Sequence, residues 1–518
     1  MDVPWATSLK DIYPESVWGI QKQRWEHLLA KFEEHYGRPA EFVSRSPGRV
    51  NIIGEHIDYS LYEVLPMAVT ADLLLAVALK RGSPQPRFRI ANVRSEKFPE
   101  RDFGLNNEGD VEIDPSSLEW SNYFKSGLRG ALQLLRKNHP KFALQGMDIL
   151  VDGTVPSGGG LSSSAAFVCA SSLAVMVASG EEKVDKRELV ELAIVSERAV
   201  GVNSGGMDQS ASVFSIRGNA LYVSFKPELR AEPIKFPNVN PELTFLIAQS
   251  FVAADKHVTA PVCYNLRVVE CSLAAEFLAK KLGLKRALPK DTSPLQVSLR
   301  GFQDTYFEEI GGIQDNNQTV VSDFSKQLEE LVELTKRTLT QEDGYTREEI
   351  SAIVGIPVEE INQRFMSRFP VRAERFLLRQ RALHVFTEAQ RVLRFRSLLS
   401  NPPSLDESLL RSLGALMQET QTSCRELYDC SCPELDEMCK LAREAGAYGG
   451  RLTGAGWGGC SVHLVPYDKV DEVKKMWETR YYRRKFPNMA EDKLAEAVVV
   501  SKPGSGSTVF KVTGRNVL

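Results

Sequence analysis

The sequence predicts a protein of mixed α-helices and β-strands that forms more than one domain. Its 518 residues exceed the size at which a single hydrophobic core stops growing. Apolar runs of strand length alternate with longer segments of helical periodicity. One such run leads directly into a glycine turn, and a helix of small residues follows the turn. Strand, glycine turn and helix in this order are the context in which a phosphate-binding loop is credible.

Residues 1–215 are predicted to form the first domain. Its clearest strands are the apolar runs Leu73–Leu79 and Met147–Val151. Leu161–Ser179 is predicted to be a helix of small residues, and Arg187–Val200 an amphipathic helix. These elements surround the glycine turn and predict mixed α/β structure in this part of the chain.

Residues 216–518 are predicted to form the second domain. It opens with two strands, Asn219–Phe225 and Leu243–Gln249, and continues with a long helix, Ala260–Leu282. The segment from about 285 to 370 is more polar and is punctuated by Pro, Gly and Asn. We therefore expect a helical insertion or an elaborated linker there.

The remaining elements of the second domain follow from local pattern. A glycine-rich loop is expected over Tyr448–Cys460 and a strand over Ser461–Val465. The tail, Ala495–Val512, is expected to form two strands around a Pro-Gly-Ser-Gly turn. Three further helices are predicted at Arg372–Leu399, Asp406–Gln421 and Pro433–Ala445.

Composition places the chain among ordinary soluble globular proteins and excludes several functions. A net charge of -3 gives no sign of a nucleic-acid-binding surface. The longest apolar stretch, Met67–Leu79, is too short to span a bilayer, and the N-terminus lacks the pattern of a signal peptide. Eight cysteines in a chain of this length indicate reduced structural thiols. We therefore expect a cytoplasmic protein without nucleic-acid or membrane partners.

The glycine turn at Gly158–Ala165 has the chemistry of a phosphate site. It is not a P-loop of the G-x-x-x-x-G-K-[ST] type, because no lysine follows. Glycines let the backbone approach phosphate oxygens, and the following helix offers free N–H groups and the positive end of its dipole. Serine hydroxyls can donate to phosphate or coordinate Mg²⁺. The alternative is an ordinary Gly/Ser turn that caps a helix.

A dense charged cluster precedes this turn by about 100 residues. Arg49, Glu55, His56 and Asp58 lie within ten residues, between two apolar runs. Carboxylates can accept from the hydroxyls of a polyol while arginine and histidine donate to them. A polar loop between apolar runs more often lines a cleft than a free surface. The alternative is a solvated loop with incidental charge.

Two further glycine segments are candidates for the site. Gly205–Ser210 places Asp208 after two glycines and a methionine, where the alternative role is a helix N-cap. Gly454–Gly459 satisfies G-x-G-x-x-G, but a predicted strand rather than a helix follows it. We reject a dinucleotide site there and expect a structural or site-lining loop.

These segments resemble the galactokinases of the GHMP small-molecule kinase family, in their fungal form. The resemblance covers most of the chain. The N-acetylgalactosamine kinases share much of the pattern, notably Gly206–Gln209 and Cys430–Asp436. The matching motifs are the galactokinase signature at Gly48–Tyr59, the ATP loop at Pro156–Ala166, the segment Gly205–Gln209 and the loop Leu452–Cys460.

The resemblance implies a fold and an activity. The fold is α/β plus α+β, a two-lobed GHMP kinase with the active site between the lobes. The activity is ATP-dependent phosphorylation of galactose at its anomeric hydroxyl, which gives α-D-galactose 1-phosphate and ADP and opens galactose catabolism. ATP and Mg²⁺ are the implied cofactors, with galactose and ATP as partners.

The resemblance also implies residue roles. Asp208 is the implied catalytic base, with Arg49 beside it. The implied sugar-binding residues are Arg49, Glu55, His56, Asp58, Ser204, Asp208 and Tyr264. The implied ATP-binding residues are Gly158, Gly160, Ser162, Ser163, Ser164, Lys256 and Trp120. The implied Mg²⁺ ligands are Ser164 and Glu197. Ser204 stands where fungal relatives often carry asparagine, and a backbone group could serve there instead of the side chain.

Two alternatives stay open at this point. One is an N-acetylgalactosamine kinase, although Tyr264 stands where those enzymes can carry phenylalanine. The other is a galactose- and ATP-binding sensor that engages a transcriptional inhibitor protein as its partner. Sensors have lost a Ser-Ala pair in the ATP loop, whereas Ser164-Ala165 is present here, which favours catalysis.

Overall fold

The computed structural model describes residues 1–82, 85–114, 119–139, 142, 144–156, 160–198, 205–252, 259–514 and 517. The predicted site residues Gly158, Ser204 and Lys256 lie outside these ranges. Within the described ranges the strands are β1 (Trp5–Ala6), β2 (Phe42–Ile53), β3 (Leu65–Lys80), β4 (Arg87–Asn92), β5 (Arg101–Gly104), β6 (Gly146–Gly153), β7 (Asn219–Ser224), β8 (Arg230–Lys235), β9 (Leu243–Gln249), β10 (Gly449–Thr453), β11 (Cys460–Pro466), β12 (Val498–Ser501) and β13 (Thr508–Lys511).

The α-helices of the same ranges fall into two groups. Those of the first half are α1 (Leu9–Ile12), α2 (Trp18–Tyr36), α3 (Asn122–Asn138), α4 (Ser163–Ala178), α5 (Lys186–Arg198) and α6 (Met207–Phe214). Those of the second half are α7 (Tyr264–Lys281), α8 (Leu299–Glu309), α9 (Val321–Thr338), α10 (Arg347–Val354), α11 (Val358–Ile361), α12 (Leu378–Ser400), α13 (Glu407–Glu426), α14 (Pro433–Glu444), α15 (Val470–Trp477), α16 (Arg483–Lys485) and α17 (Glu491–Ala495).

The largest sheet has seven strands in the order β1-β13-β2-β3-β6-β4-β5. Its central strand β3 is buried on both faces, which explains the continuous apolar run of the sequence. Leu75 and Val77 enter the larger core, and Leu74 and Ala76 enter a second core with Trp25 of α2. The predicted strand over Leu73–Leu79 is confirmed, and it is longer than expected.

Helix α4 positions the glycine turn. Small side chains let it pack against β2 and β3 while α3 and α5 flank it. Thirteen of its sixteen residues are buried, as expected for a helix that is apolar all round. The predicted small-residue helix is therefore confirmed, and its first turn carries Ser163 and Ser164.

The second half of the chain contains a four-stranded sheet of order β10-β11-β9-β12 and most of the helices. The segment 285–370 is helical as predicted, since α8 to α11 lie within it. Helix α12 packs against α7, α9 and α13. The division of the chain into domains at residue 215 remains a prediction.

Two sequence-based expectations need correction. Part of the expected loop Tyr448–Cys460 is strand β10, paired antiparallel with β11. Its glycines serve close packing rather than a turn, because a Cβ at Gly449 would overlap the backbone of Gly414 on α13. The two tail strands exist, but they are not a hairpin: β12 pairs with β9, and β13 pairs with β1 and β2.

The eight cysteines are all free, as expected. None of the helices in the described ranges has the length and apolar character needed to cross a bilayer.

Candidate active site

Arg49 and Asp208 form an ion pair at the centre of the site. Arg49 lies on β2, and its Nε donates to Oδ1 of Asp208 at 2.8 Å. Its Nη1 donates to the carbonyl oxygen of Gly160 at 2.6 Å. Burial opposes the positive charge of Arg49, but the carboxylates of Asp208 and Glu55 raise its pKa overall. The charged strand and the glycine turn, separated in sequence, therefore meet at one guanidinium group.

Asp208 is held from two sides. It lies in the first turn of α6, and its side chain is 18% exposed. While Oδ1 accepts from Arg49, Oδ2 accepts from the hydroxyl of Ser162 at 2.5 Å. Ser162 precedes α4 in the left-handed conformation, with φ of 56°, so its hydroxyl turns towards α6. The carboxylate is therefore fixed in orientation and still partly accessible.

Residues 54–61 form a strained loop after β2, which we call the 54–61 loop. Gly54, His56 and Leu61 have φ of 105°, 60° and 65°. Glu55 forms a buried ion pair with Arg451 of β10 and accepts from the N–H of Gly454 at 3.3 Å. Burial raises the pKa of Glu55, and Arg451 opposes that shift.

His56 is fixed by both ring nitrogens. Nε2 donates to the carbonyl oxygen of Ala455 at 3.0 Å, and Nδ1 lies 3.0 Å from the hydroxyl of Tyr59. The ring lies 5.7 Å from the ring of Tyr264 and 5.9 Å from that of Trp457. Tyr264 begins α7 and brings the second half of the chain to the same cluster.

Asp58 adds a second carboxylate beside Asp208. Burial and the nearby charge of Asp208 raise the pKa of Asp58 to about 6. The N–H groups of Met207 and Tyr59 favour its charged form and limit the shift. A Cβ at Gly205 would overlap this carboxylate, which explains the glycine at that position.

Glu197, Ser163 and Ser164 supply hard oxygen atoms near the glycine turn. Glu197 lies at the end of α5, is buried, and accepts from the side-chain amide of Gln209, the residue after Asp208. Ser163 and Ser164 open α4 and are half-buried. Among the described residues no group of three His, Cys, Asp or Glu side chains forms a metal cluster. Carboxylate and hydroxyl oxygens suit Mg²⁺, which usually keeps several waters and one or two protein carboxylates.

Trp120, Tyr123 and Phe167 form an aromatic wall beside α4. Its ring stacks on Phe167 with centroids 6.1 Å apart, and Tyr123 stacks on the same phenylalanine at 6.2 Å. The indole N–H donates to the carbonyl oxygen of Pro99 at 3.0 Å. Phe167 lies one turn along α4 from Ser163, so this wall stands close to the glycine turn.

The structure brings most of the predicted residues together and adds one that sequence reasoning missed. Arg49, Glu55, His56, Asp58, Asp208 and Ser162 are linked through direct contacts or shared charge, as described above. Arg451 was not among the predicted site residues, although it stands in the glycine-rich segment Tyr448–Cys460, of which Gly454–Gly459 was expected to be a structural or site-lining loop. A buried carboxylate requires a cation, which is the signal that could have pointed to it.

Family models match three parts of the chain. The model described as the galactokinase galactose-binding signature matches residues 30–79. The model of the GHMP kinases N terminal domain matches residues 122–215, and that of the GHMP kinases C terminal matches residues 403–483. These ranges contain Arg49, the glycine turn, Asp208 and Arg451.

Curated relatives match along nearly the whole chain. A galactokinase from Candida parapsilosis is 42% identical over 95% of each chain. A galactokinase from Saccharomyces cerevisiae is 41% identical over 94% of each chain, and one from Schizosaccharomyces pombe is 39% identical over 95% of this chain and 96% of its own.

Solved structures share the fold. A Lactococcus lactis galactokinase complexed with galactose superposes with a TM-score of 0.64, at 22% identity over 93% of this chain and 98% of its own. A Methanococcus jannaschii mevalonate kinase superposes with a TM-score of 0.50, at 16% identity over 90% of this chain and 99% of its own.

Proposed function

The chain belongs to the galactokinase family and has the GHMP kinase fold, and on this premise we propose that it phosphorylates galactose at the anomeric hydroxyl. ATP is the proposed donor, and α-D-galactose 1-phosphate and ADP are the proposed products. The observation that carries the proposal is the Arg49–Asp208 pair, held between the glycine turn and the 54–61 loop.

Asp208 is the proposed base. Its carboxylate is oriented by Arg49 and Ser162 and remains partly exposed, so it can accept the proton of a sugar hydroxyl placed against it. Arg49 contacts both Asp208 and the glycine turn. Its charge can therefore offset negative charge as the phosphoryl group moves to the hydroxyl oxygen. Orientation of the two substrates would supply much of the acceleration.

The 54–61 loop and Tyr264 are the proposed sugar contacts. Asp58 places an acceptor beside Asp208, and the ring of His56 lies against Tyr264 of α7. Glu55 Oε2 is taken by Arg451 and Gly454. The other carboxylate oxygen, Oε1, is the one we assign to a sugar hydroxyl.

ATP is proposed to lie on the glycine turn, with its base towards the wall that holds Trp120. We assign Gly160, Ser162 and Ser163 to that path, because they lie at or just before the start of α4. Ser164 and Glu197 are the proposed Mg²⁺ ligands, because their oxygens are the kind this ion prefers. When bound, Mg²⁺ would neutralise charge on the β- and γ-phosphates. The assignments of Gly158, Ser204 and Lys256 stay predictions.

The test is direct detection of the product. Purified protein is incubated with galactose, ATP and Mg²⁺, and sugar phosphate is measured by ³¹P NMR alongside ADP release. We expect stoichiometric galactose 1-phosphate and ADP, and no ADP when galactose is omitted. A protein that binds galactose but releases no ADP would favour the sensor alternative and contradict this proposal.

Sugar preference tests the N-acetylgalactosamine alternative, which the relatives do not favour. The phenol of Tyr264 fills space and offers a hydrogen bond, so it suits the 2-hydroxyl of galactose better than a bulky acetamide. We expect kcat/KM for galactose to exceed that for N-acetylgalactosamine by at least about tenfold. Tyr264→Phe should narrow the ratio. Competition between the two sugars measures it, and a preference for the acetamido sugar would contradict the assignment.

A further inference from the structure

The 54–61 loop is gripped by a helix that comes from the other half of the chain. Glu388 of α12 is fully buried. Its Oε1 accepts from the backbone N–H of Gly54 at 2.8 Å and from that of Glu55 at 3.1 Å. A carboxylate that accepts two successive backbone N–H groups fixes the position of both peptide planes.

The second oxygen of Glu388 is also engaged. Oε2 accepts from Nε of Arg391 at 2.7 Å and from the hydroxyl of Thr420 at 2.8 Å. Burial alone would raise the pKa of Glu388, but the charge of Arg391 and its hydrogen bond help to lower it to about 2. The group is therefore an anion with four donors. It accepts the two N–H hydrogen bonds from the loop throughout the neutral pH range.

His384, one turn earlier on α12, holds the next backbone group of the loop. Its Nε2 lies 2.9 Å from the carbonyl oxygen of Glu55, and its Nδ1 lies 2.9 Å from the hydroxyl of Ser423. A carbonyl oxygen only accepts, so Nε2 carries the proton and Nδ1 accepts from Ser423. Burial lowers the pKa of His384 to about 3, which keeps this neutral tautomer.

Glu388 and His384 hold the loop next to its residues with left-handed backbone conformations. Gly54 and His56 both have left-handed backbones, and they flank the residue whose N–H and carbonyl groups are held. For His56, which carries a Cβ, such a conformation persists only where the surroundings over-determine it. At Gly54 a side chain would not fit, because a Cβ there would lie 3.0 Å from Val64 and 3.1 Å from Val392 of α12.

We propose that Glu388 and His384 are positioning residues for the sugar, which set galactose affinity by holding the backbone of Gly54 and Glu55. Neither residue touches the proposed nucleotide path. The inference rests on the proposed function, since it assumes that Glu55, His56 and Asp58 contact the sugar. It predicts that loss of the hydrogen bonds from Glu388 or His384 to the loop weakens galactose binding and leaves KM for ATP nearly unchanged.

The alternative is that Glu388 serves stability alone, as one half of a buried ion pair. Removing one partner of such a pair leaves an unpaired buried charge and destabilises the protein. Glu388→Ala combined with Arg391→Met removes both charges and recovers much of the stability. It does not restore the acceptor for the loop, so stability and sugar affinity separate in the double variant.

The experiment compares KM for galactose, KM for ATP and the equilibrium Kd for galactose. In Glu388→Ala and in the double variant, KM and Kd for galactose should rise at least about tenfold, because small displacements of positioning groups cost that much. KM for ATP should stay within about twofold of the wild-type value. Glu276→Ala is the control, since it removes another buried glutamate, which pairs with the exposed Arg364 away from the loop.

His384 gives a second, milder test. His384→Phe keeps a ring against Tyr428 but loses the donor to Glu55, whereas His384→Gln keeps an N–H donor. Galactose affinity should fall in the first variant and recover in part in the second. Folded variants with galactose Kd within about twofold of wild type, or with equal increases in both KM values, would overturn the proposal.

The outcome is distinct from a failure of the proposed function. A wild-type protein that releases no ADP with galactose contradicts the proposed activity, and galactose Kd still reports on the loop. If Glu388→Ala does not fold, the double variant and the two His384 variants decide whether these residues position the loop for sugar binding.

Discussion

At the scale of single residues, the site depends on carboxylates whose surroundings differ. Asp208 is paired with Arg49 and Ser162, Glu55 is neutralised by Arg451, and Asp58 is buried without an ion pair among the described residues. Carboxyl groups in unlike environments can take different roles. Asp208, which is oriented by two partners and partly exposed, is the one that we propose as the base.

The role of Asp208 predicts a large loss of turnover on neutral replacement. Asp208→Asn keeps the shape and removes the basic oxygen, and Arg49→Ala removes the positive charge beside it. Each should lower kcat by at least about a hundredfold, the lower end of general acid–base effects. Steady-state kinetics with galactose and ATP measures this, and galactose binding by Asp208→Asn is the control. Near wild-type kcat in Asp208→Asn would show that the base lies elsewhere.

The raised pKa of Asp58 predicts a pH dependence of sugar binding. With a pKa of about 6, Asp58 is charged at pH 7.5 and mostly protonated at pH 5. The neutral acid is a weaker acceptor for sugar hydroxyls, so galactose Kd should rise as the pH falls through 6. Calorimetric titrations between pH 5 and 8 measure this. Asp58→Asn should bind weakly at every pH, and an inflection near pH 6 that survives in that variant would contradict the assignment.

At the scale of elements, two glycine turns meet backbone to backbone. Gly160 begins the described part of the first turn, and Gly454 begins the turn between β10 and β11. A Cβ on Gly454 would lie 2.6 Å from the carbonyl oxygen of Gly160, which is also the acceptor for Arg49. The hairpin of the second half therefore helps to set the position of the proposed catalytic arginine.

This contact predicts that Gly454→Ala lowers turnover as well as stability. The residue has φ of 87°, so alanine adds about 1–2 kcal/mol of backbone strain and pushes Gly160 away from Arg49. Gly446→Ala is the matched control, because its φ is 102° and its nearest neighbour is the flexible side chain of Lys469. Unfolding and kinetics should show similar destabilisation in both variants and reduced kcat only for Gly454→Ala. Equal kcat in both would refute the coupling.

At the scale of the whole molecule, segments from the second half of the chain complete the sheet and the loop of the first half. Strand β13, near the C-terminus, lies between β1 and β2 in the sheet that carries Arg49. Helix α12 and strand β10 supply Glu388 and Arg451 to the 54–61 loop. Both halves of the chain must therefore fold before the site exists.

Buried neutral histidines predict how global stability depends on pH. Burial lowers the pKa of His463 to about 3, while the unfolded chain takes up a proton near pH 6.5. The unfolded state thus binds more protons below pH 6.5, and stability is lost as the pH falls from 6.5 towards 3. Urea unfolding at several pH values should show a slope smaller by up to about 1.4 kcal/mol per pH unit in His463→Gln than in wild type. An unchanged slope would contradict a neutral His463 in the folded protein.

Several strands and helices could be predicted from local sequence pattern. The apolar runs became β3 and β6, and the small-residue segment became α4. These features depend on backbone conformation and periodicity over a few residues, so the sequence contains them directly. The resemblance of four short motifs was enough to identify the family, because each motif is itself a local arrangement.

Contacts between distant segments were not readable in the same way. Arg451 meets Glu55 across 396 residues, and Glu388 meets Gly54 across 334. Nothing near Glu388 in the sequence distinguishes it from a solvated helical glutamate, and the glycines of β10 suggest a loop until α13 is seen packed against them. The sequence by itself determined the elements and the chemistry of the motifs. Only the tertiary structure decided which buried charges pair and what holds the 54–61 loop, because burial and long-range contacts arise from packing rather than from local pattern.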